Sequence, residues 1–416
     1  MTPIDVDADR LKRDIEATAA FGATDDSDRG RGRTVRTGTE ADRKARDYLV
    51  DRLREADLEV TVDGVGNVMG VWYPDGTTTD DPPVVAGSHL DSVPQGGIFD
   101  GPLGVYAALE AVRAIAASEY DPDHPLGVVS FTEEEGTRFP PLLGSSVATG
   151  QRTVDDARQL ADDDGTTLET ALERIDYLGE GRLDAERWGH WLEVHVEQGT
   201  RLTEAGVPAG VVTDITGISQ MDVRFEGEAN HAGTTPMDAR SDALAGAAEL
   251  VSAVENRTQA LFERSPTVVG TVGSIDVRPN GTNVIPGEVD LGIDIRDVER
   301  ATMDELHEHV RRTADRIADE RGLDAAVSKR IDVDPTPLDE NSIEAIRRGA
   351  QTAGVDVVEL HSGAGHDTMH VARATSAGMI FAPSVDGISH SPREWTDWED
   401  CTVVTEILAE TMAELA

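Results

Sequence analysis

The sequence is short of lysine, aromatic residues and cysteine. Cys401 is its one cysteine, so no intrachain disulfide can form, as expected for a cytoplasmic protein. Lysine occurs only at Lys12, Lys44 and Lys329; the remaining basic residues are arginines. Together they number 37 against 80 acidic residues, a net charge of −43. A surface of that sign repels phosphate backbones and anionic lipid, which argues against nucleic acid and membranes as partners. It also repels itself in dilute salt, so a salt-rich, halophilic setting is expected, where charges are screened over a few Å. No apolar run approaches the roughly 20 residues that span a bilayer. The charged stretch Met1–Arg13 lacks the apolar segment of a secretory signal. Three site signatures are also missing. There is no Gly-x-Gly-x-x-Gly, no Gly-Lys-Ser/Thr phosphate loop and no Gly-x-Ser-x-Gly nucleophile elbow. Cys401 follows acidic residues in or near a terminal helix and is a poor nucleophile.

What is present is the material of a folded α/β protein. The 416 residues suffice for two or three domains, and apolar residues make up 38%. Helical periodicity covers Asp9 to Phe21 and Thr39 to Ala56, and alternation between Leu58 and Trp72 reads as strands broken at Gly64 and Gly66. Four short apolar runs follow: Val84–Ala86, Leu126–Phe131, Trp191–Val196 and Gly378–Phe381. A helix over Leu103–Ser118 separates the first two. Such alternation predicts a largely parallel sheet covered by helices on both faces. Between the third and fourth runs the pattern changes. A strand at Gln220–Phe225 is followed by a helix from Met237 to Val254, strands at Val268–Val277 and Glu288–Ile295, and a helix at Thr302–Arg321. This βαββα order reads as an α+β domain inserted at 215–334, dividing a catalytic domain into 1–214 and 335–416. The acidic stretch Asp155–Asp164 reads as solvated surface.

In parallel sheets ligands bind beyond the carboxyl ends of the strands. The first run leads into His89-Leu90-Asp91 and then Asp100, the second into Glu133-Glu134-Glu135, and the fourth towards His390. His195 lies inside the third. A His with carboxylates at strand ends suits a divalent cation, and a neighbouring carboxylate can fix the imidazole tautomer. Each feature has a plainer reading: an Asp- and Gly-rich loop, an acidic face, a hydrogen-bonded structural histidine. Packed like charges at a buried strand end are costly without a compensating cation, however. Five of the 11 histidines (His89, His195, His231, His366 and His390) also follow apolar runs in polar, Gly-rich contexts. That joint pattern carries the metal reading.

Eight motifs occur in register over nearly the whole chain. They are Gly87-Ser88-His89-Leu90-Asp91-Ser92-Val93-Pro94, Gly96-Gly97-Ile98-Phe99-Asp100-Gly101, Glu134-Glu135-Gly136-Thr137-Arg138-Phe139 and Glu193-Val194-His195-Val196-Glu197-Gln198-Gly199. Beyond these come Asn230-His231-Ala232-Gly233-Thr234-Thr235-Pro236-Met237, Asn283-Val284-Ile285-Pro286-Gly287 with Asp294-Ile295-Arg296, Ser362-Gly363-Ala364-Gly365-His366-Asp367, and Gly387-Ile388-Ser389-His390-Ser391-Pro392. Together they resemble the hydantoinase/carbamoylase family of amidohydrolases, in the group of aminoacylase-like metallopeptidases.

That resemblance implies two divalent cations per subunit, with zinc favoured and manganese, cobalt or nickel as alternatives. His89 and His195 would hold one, Glu135 and His390 the other, with Asp100 bridging. Asp91 would orient His89, and Glu134 would be the general base for a water activated between the cations. The inserted domain would be a lid and dimer contact. There His231, Asn283 and Arg296 would grip substrate, His231 in the partner's site, with Gln198 and His366 on the catalytic side. The implied reaction is hydrolysis of a C–N bond in a small carbamoyl or ureido compound. N-carbamoyl-L-amino acids come first, then allantoate or ureidopropionate. An aminoacylase or dipeptidase is disfavoured by the His-Ala-Gly-Thr-Thr-Pro-Met and Gly-Ala-Gly-His-Asp stretches. A non-catalytic small-molecule binding protein is disfavoured by Glu134, since binding alone needs no base.

Overall fold

The computed structural model describes residues 3–24 and 30–416; Met1 and Thr2 of the charged N-terminal stretch lie outside them. In chain order the principal elements begin with α1 (Ala8–Ala19), α2 (Glu40–Glu55), β1 (Glu59–Val62), β2 (Val68–Trp72) and β3 (Val84–His89). They continue with α3 (Pro102–Ala117), β4 (Leu126–Phe131), β5 (His190–Val196), β6 (Ala209–Ile215) and β7 (Gly217–Glu226). Then follow α4 (Ala243–Phe262), β8 (Val269–Arg278), β9 (Glu288–Asp297), α5 (Arg300–Arg321) and β10 (Asp324–Val333). The last are α6 (Glu340–Ala353), β11 (Ser376–Ala382) and α7 (Trp398–Leu415).

The chain divides into two compact units, one of residues 1–213, 338–360 and 366–416, the other of 214–337 with 361–365. In the first, the sheet runs β1-β2-β4-β3-β5-β11-β6. Its four central strands are parallel, and antiparallel pairs flank them on each side. All residues of β3 and β4 are buried, which explains why these segments read as continuous apolar runs. Mostly apolar, α3 is buried along most of its length, with its Glu110 buried against Arg10. One side lies on β3, β4 and β5, the other on α7. The N-cap side chains Asp7 and Thr39 start α1 and α2 by accepting the free amides of Arg10 and Asp42.

The second unit is a four-stranded antiparallel sheet, β10-β7-β9-β8. One face is covered by α4 and α5 around Phe225, Leu250, Ile293, Leu306 and Ile317. Two details differ from the sequence reading. The helix expected from Met237 begins only at Ala243, where Asp242 caps it by accepting the amide of Ala245, and it runs on to Phe262. Met237–Ala239 is a separate 3-10 turn, and Met237 is 78% exposed, so it never joins the apolar face. A further strand, β10, closes the order as βαββαβ. Its side chains are largely exposed and its register shifts between Lys329 and Ile331, which erases the alternation. Among the described residues no helix is long and apolar enough to cross a membrane.

Candidate metal centre

The carboxyl ends of the parallel strands deliver the expected groups. His89 is the last residue of β3. Asp100 immediately precedes the turn into α3, where Gly101 has φ 80°. A Cβ on Gly101 would stand 2.5 Å from the His89 carbonyl oxygen and 2.6 Å from its ring, so glycine is needed for that ring to lie where it does. Glu133, Glu134 and Glu135 follow β4, with Glu133 at φ 58°. Glu193 and His195 sit two apart on β5 and so share a face. His390 lies on the loop after β11, itself at φ 52°.

Asp100 is the centre of the arrangement. Its Oδ1 lies 3.2 Å from Nε2 of His195 and 3.8 Å from Nε2 of His89. Its Oδ2 lies 3.5 Å from Nε2 of His390, which is also 3.5 Å from Oε2 of Glu135. Glu134 Oε2 lies 3.7 Å from Nε2 of His89. Two potential ligand groups therefore share Asp100: His89, Asp100 and His195, and Asp100, Glu135 and His390. Two more overlap them: His89, Glu134 and Glu135, and Glu193, His195 and His366. His89 and His195 each direct Nδ1 at a main-chain carbonyl, of Asp91 at 3.1 Å and of Val196 at 3.0 Å. That keeps a proton on Nδ1 of each ring, so Nε2 is the nitrogen that faces a cation.

Burial and charge shape the protonation of these groups. Burial holds the His89 imidazole down at about 3, so it stays neutral. Burial also lowers His195, but the hydrogen bond and charge of Asp100 outweigh it and carry His195 to about 9. Burial pushes Asp100 up, while the hydrogen bond and charge of His195 and the charges of His89 and His390 hold it well below the usual range. Burial and the Glu133 charge take Asp91 to about 7. Glu135 reaches about 9 through burial and the charges of Asp100 and Asp91. Glu134 is pushed well above its ordinary value by burial and by Glu135. Carboxyls this crowded hold protons unless a cation replaces them. Nε2 of His89 and Oδ2 of Asp100 are buried without a hydrogen-bond partner. These atoms, with a donor set of imidazole nitrogen and carboxylate oxygen, fit divalent cations.

Four buried residues to which the sequence reading gave no role complete the surroundings. Arg33 donates to the carbonyls of Leu90 and Asp91. Glu193 accepts from the Ser88 hydroxyl at 2.8 Å and the Thr368 hydroxyl at 2.6 Å. Asp367 lies buried beside His366. Glu394 accepts from the amide of Asp100. Arg33 and Glu394 read in sequence as ordinary charged residues, because the main-chain groups they hold lie far away in the chain.

The expected substrate contacts divide between the units. In the first, the His366 ring meets that of His195 edge-on at 4.6 Å, and Gln198 follows β5 with φ 58°. In the second, the short strands Asn230–His231 and Val284–Ile285 pair, setting His231 beside Asn283. His231 Nδ1 accepts the amides of Gly233 at 2.9 Å and Thr234 at 3.2 Å, which makes Nε2–H a donor. Arg296 donates to the Asp294 carboxylate at 2.8 Å and to the Gly363 carbonyl at 2.8 Å.

Residues 85–414 match the model of peptidase family M20/M25/M40. The chain belongs to this family. An N-carbamoyl-L-amino-acid amidohydrolase of Pseudomonas sp. (strain NS671) is 36% identical over 419 residues, covering 99% of each chain. The allantoate amidohydrolase of Bacillus subtilis (strain 168) is 36% identical over 366 residues, 86% of this chain and 87% of that one. A crystal structure of an amidase of the hydantoinase/carbamoylase family from Burkholderia multivorans superposes with a TM-score of 0.92 at 35% identity, over 99% of this chain and 98% of the other. Within the M20/M25/M40 peptidases the chain therefore stands on the hydantoinase/carbamoylase branch.

Proposed function

We propose that this protein is a two-metal amidohydrolase of carbamoyl and ureido compounds. Its reaction is conversion of an N-carbamoyl-L-amino acid and water to the amino acid, CO2 and NH3. The observation that carries this reading is Asp100, whose two oxygens face two separate ligand groups, with Glu134 beside both. His89 and His195 would hold one cation and Glu135 and His390 the other, with Asp100 between them. Zinc suits the donors, as do manganese, cobalt and nickel. Such a pair supplies polarisation of the scissile carbonyl and makes water acidic enough to react near neutral pH.

The remaining steps belong to the chain. Glu134 takes the proton of the attacking water and returns it to the leaving nitrogen. A carboxyl whose affinity for protons is raised by burial and by Glu135 suits that exchange. Asp91 accepts the amides of Glu134 and Glu135 at 3.2 and 3.1 Å and so sets the turn that aims them. The Nε2–H of His231 suits an oxyanion. Arg296, with Asn283, offers a fork for the substrate carboxylate, and Gln198 and His366 line the catalytic side. We read the second unit as lid and dimer contact. Support comes from its ten-residue edge strand β8, where Val269 and Ile275 are about half exposed. Sedimentation as a monomer at micromolar concentration would remove the dimer from this account. The lone buried cysteine and the acidic surface support a salt-rich cytoplasm.

Ammonia release by the metal-reconstituted protein, compared between N-carbamoyl-L-amino acids and allantoate, tests the reading. Turnover of allantoate alone moves the substrate and keeps the chemistry; release from neither, with two metals bound, rejects it.

A further inference from the structure

Glu394 lies four residues beyond His390, on the loop entering α7, and is 2% exposed. Its Oε1 accepts the main-chain N–H of Asp100 at 3.1 Å, and its Oε2 accepts the hydroxyl of Ser389 at 3.0 Å. One carboxylate thus joins the residue before His390 to the main chain of Asp100, 294 positions away. The packing is built around that tie. A Cβ on Gly97 would stand 2.0 Å from Oε1, so the glycine admits the carboxylate into the Asp100 loop. Trp395, the next residue, meets Phe99 edge-on at 5.3 Å, and Phe99 immediately precedes Asp100.

His390 needs such a tie more than the other ligand candidates. Its side chain is 52% exposed, while those of His89 and His195 are 1% and 2% exposed. It sits on a loop at positive φ, a conformation that persists only where the surroundings enforce it. Its ring meets the carboxylates of Asp100 and Glu135, whereas His89 and His195 are also steered by main-chain carbonyls.

We propose that Glu394 is a positioning residue for one of the two cations: it locks the His390 loop to the Asp100 loop, so that Asp100 Oδ2, Glu135 and His390 close on a divalent ion. The inference rests on the two-metal reading above and assigns Glu394 chiefly to the Glu135–His390 side, where it holds both the His390 loop and Asp100. The His89–His195 side shares Asp100 but takes both imidazoles from β3 and β5, so it depends on the tie less.

Titration of the metal-free protein with cobalt(II), followed by visible absorption and calorimetry, tests this. Wild type is expected to take two equivalents. In Glu394→Gln one amide oxygen can serve only one of the two donors. There the first equivalent should bind close to wild type and the second about 10–100-fold more weakly, the usual effect of losing a group that orients a ligand. His390→Ala should lose the same equivalent, and the Tm of metal-free Glu394→Gln should stay near that of wild type. An unchanged second equivalent overturns the proposal, and so does equal weakening of both equivalents with a lowered metal-free Tm, which marks a general structural role. Should Glu394→Gln fail to fold, Ser389→Ala and Gly97→Ala disturb the same tie from either end, and an unchanged second equivalent in both overturns it. A wild-type protein that does not take two equivalents would instead reject the two-metal reading.

Discussion

The carboxylate of Asp91 lies 3.6 Å from Nδ1 of His89, farther than the 3.1 Å that separates this nitrogen from the main-chain carbonyl of the same residue. The carbonyl therefore sets the His89 tautomer, and the carboxylate spends its two oxygens on the amides of Glu134 and Glu135. Asp91→Asn leaves one good acceptor for two amides and disturbs the glutamate turn while sparing His89. We expect kcat to fall about 10–100-fold with two metals retained. Steady-state kinetics with metal analysis decides; loss of the metal at His89 would show that the carboxylate governs the ring after all.

The metal-free protein should lose stability as pH rises from 6.5 to 9. Folding raises Glu135 from 4.5 to about 9 and His195 from 6.5 to about 9. In that window the folded chain holds protons that the unfolded chain has released, so their stabilisation is complete at low pH and is lost on the way to 9. His89, lowered to about 3, acts in the opposite sense, but only below 6.5. Tm by scanning calorimetry should fall across the window without metal and stay level with it, because the cations replace the protons. A level metal-free Tm contradicts this.

Arg296 engages the Asp294 carboxylate and a main-chain carbonyl with its planar fork. A lysine there reaches fewer acceptors and cannot hold two in one plane. Arg296→Lys should raise KM about 10–100-fold, the loss of a charge-assisted hydrogen bond of roughly 1.5–3 kcal/mol, with a smaller effect on kcat. An unchanged KM removes Arg296 from the substrate contacts.

Salt should stabilise the fold. With a net charge of −43, repulsion acts over about 10 Å at 0.1 M salt and about 3 Å at 1 M. Tm measured in KCl should rise from dilute buffer to molar concentrations; a fall would end the halophilic reading.

How much of this was legible in the sequence follows from where each residue's partners lie. Strands β3, β4, β5 and β11 could be read because both of their faces are buried, which leaves unbroken apolar runs. Topology then set the His and Glu residues near their ends on one side of the sheet, while their division into two ligand sets came from the family resemblance. Strand β10 escaped because Ser328, Lys329 and Arg330 interrupt its alternation at a shift of register. The true start of α4 was hidden by Met237, an apolar residue that the fold leaves exposed. Glu394 and Arg33 gave no signal, since what distinguishes them is burial against main-chain groups brought in from other loops. For the same reason the division of labour within Asp91, carbonyl to His89 and carboxylate to the glutamates, is a property of the folded turn.

The most direct test of the account is ammonia release from N-carbamoyl-L-amino acids by metal-loaded wild type and Glu134→Gln, assayed side by side in high salt. Wild type should turn the substrate over, and Glu134→Gln should lose roughly 10²–10⁴-fold with both metals still bound. Equal turnover by the two proteins, or none by a wild type carrying two metals, would contradict it.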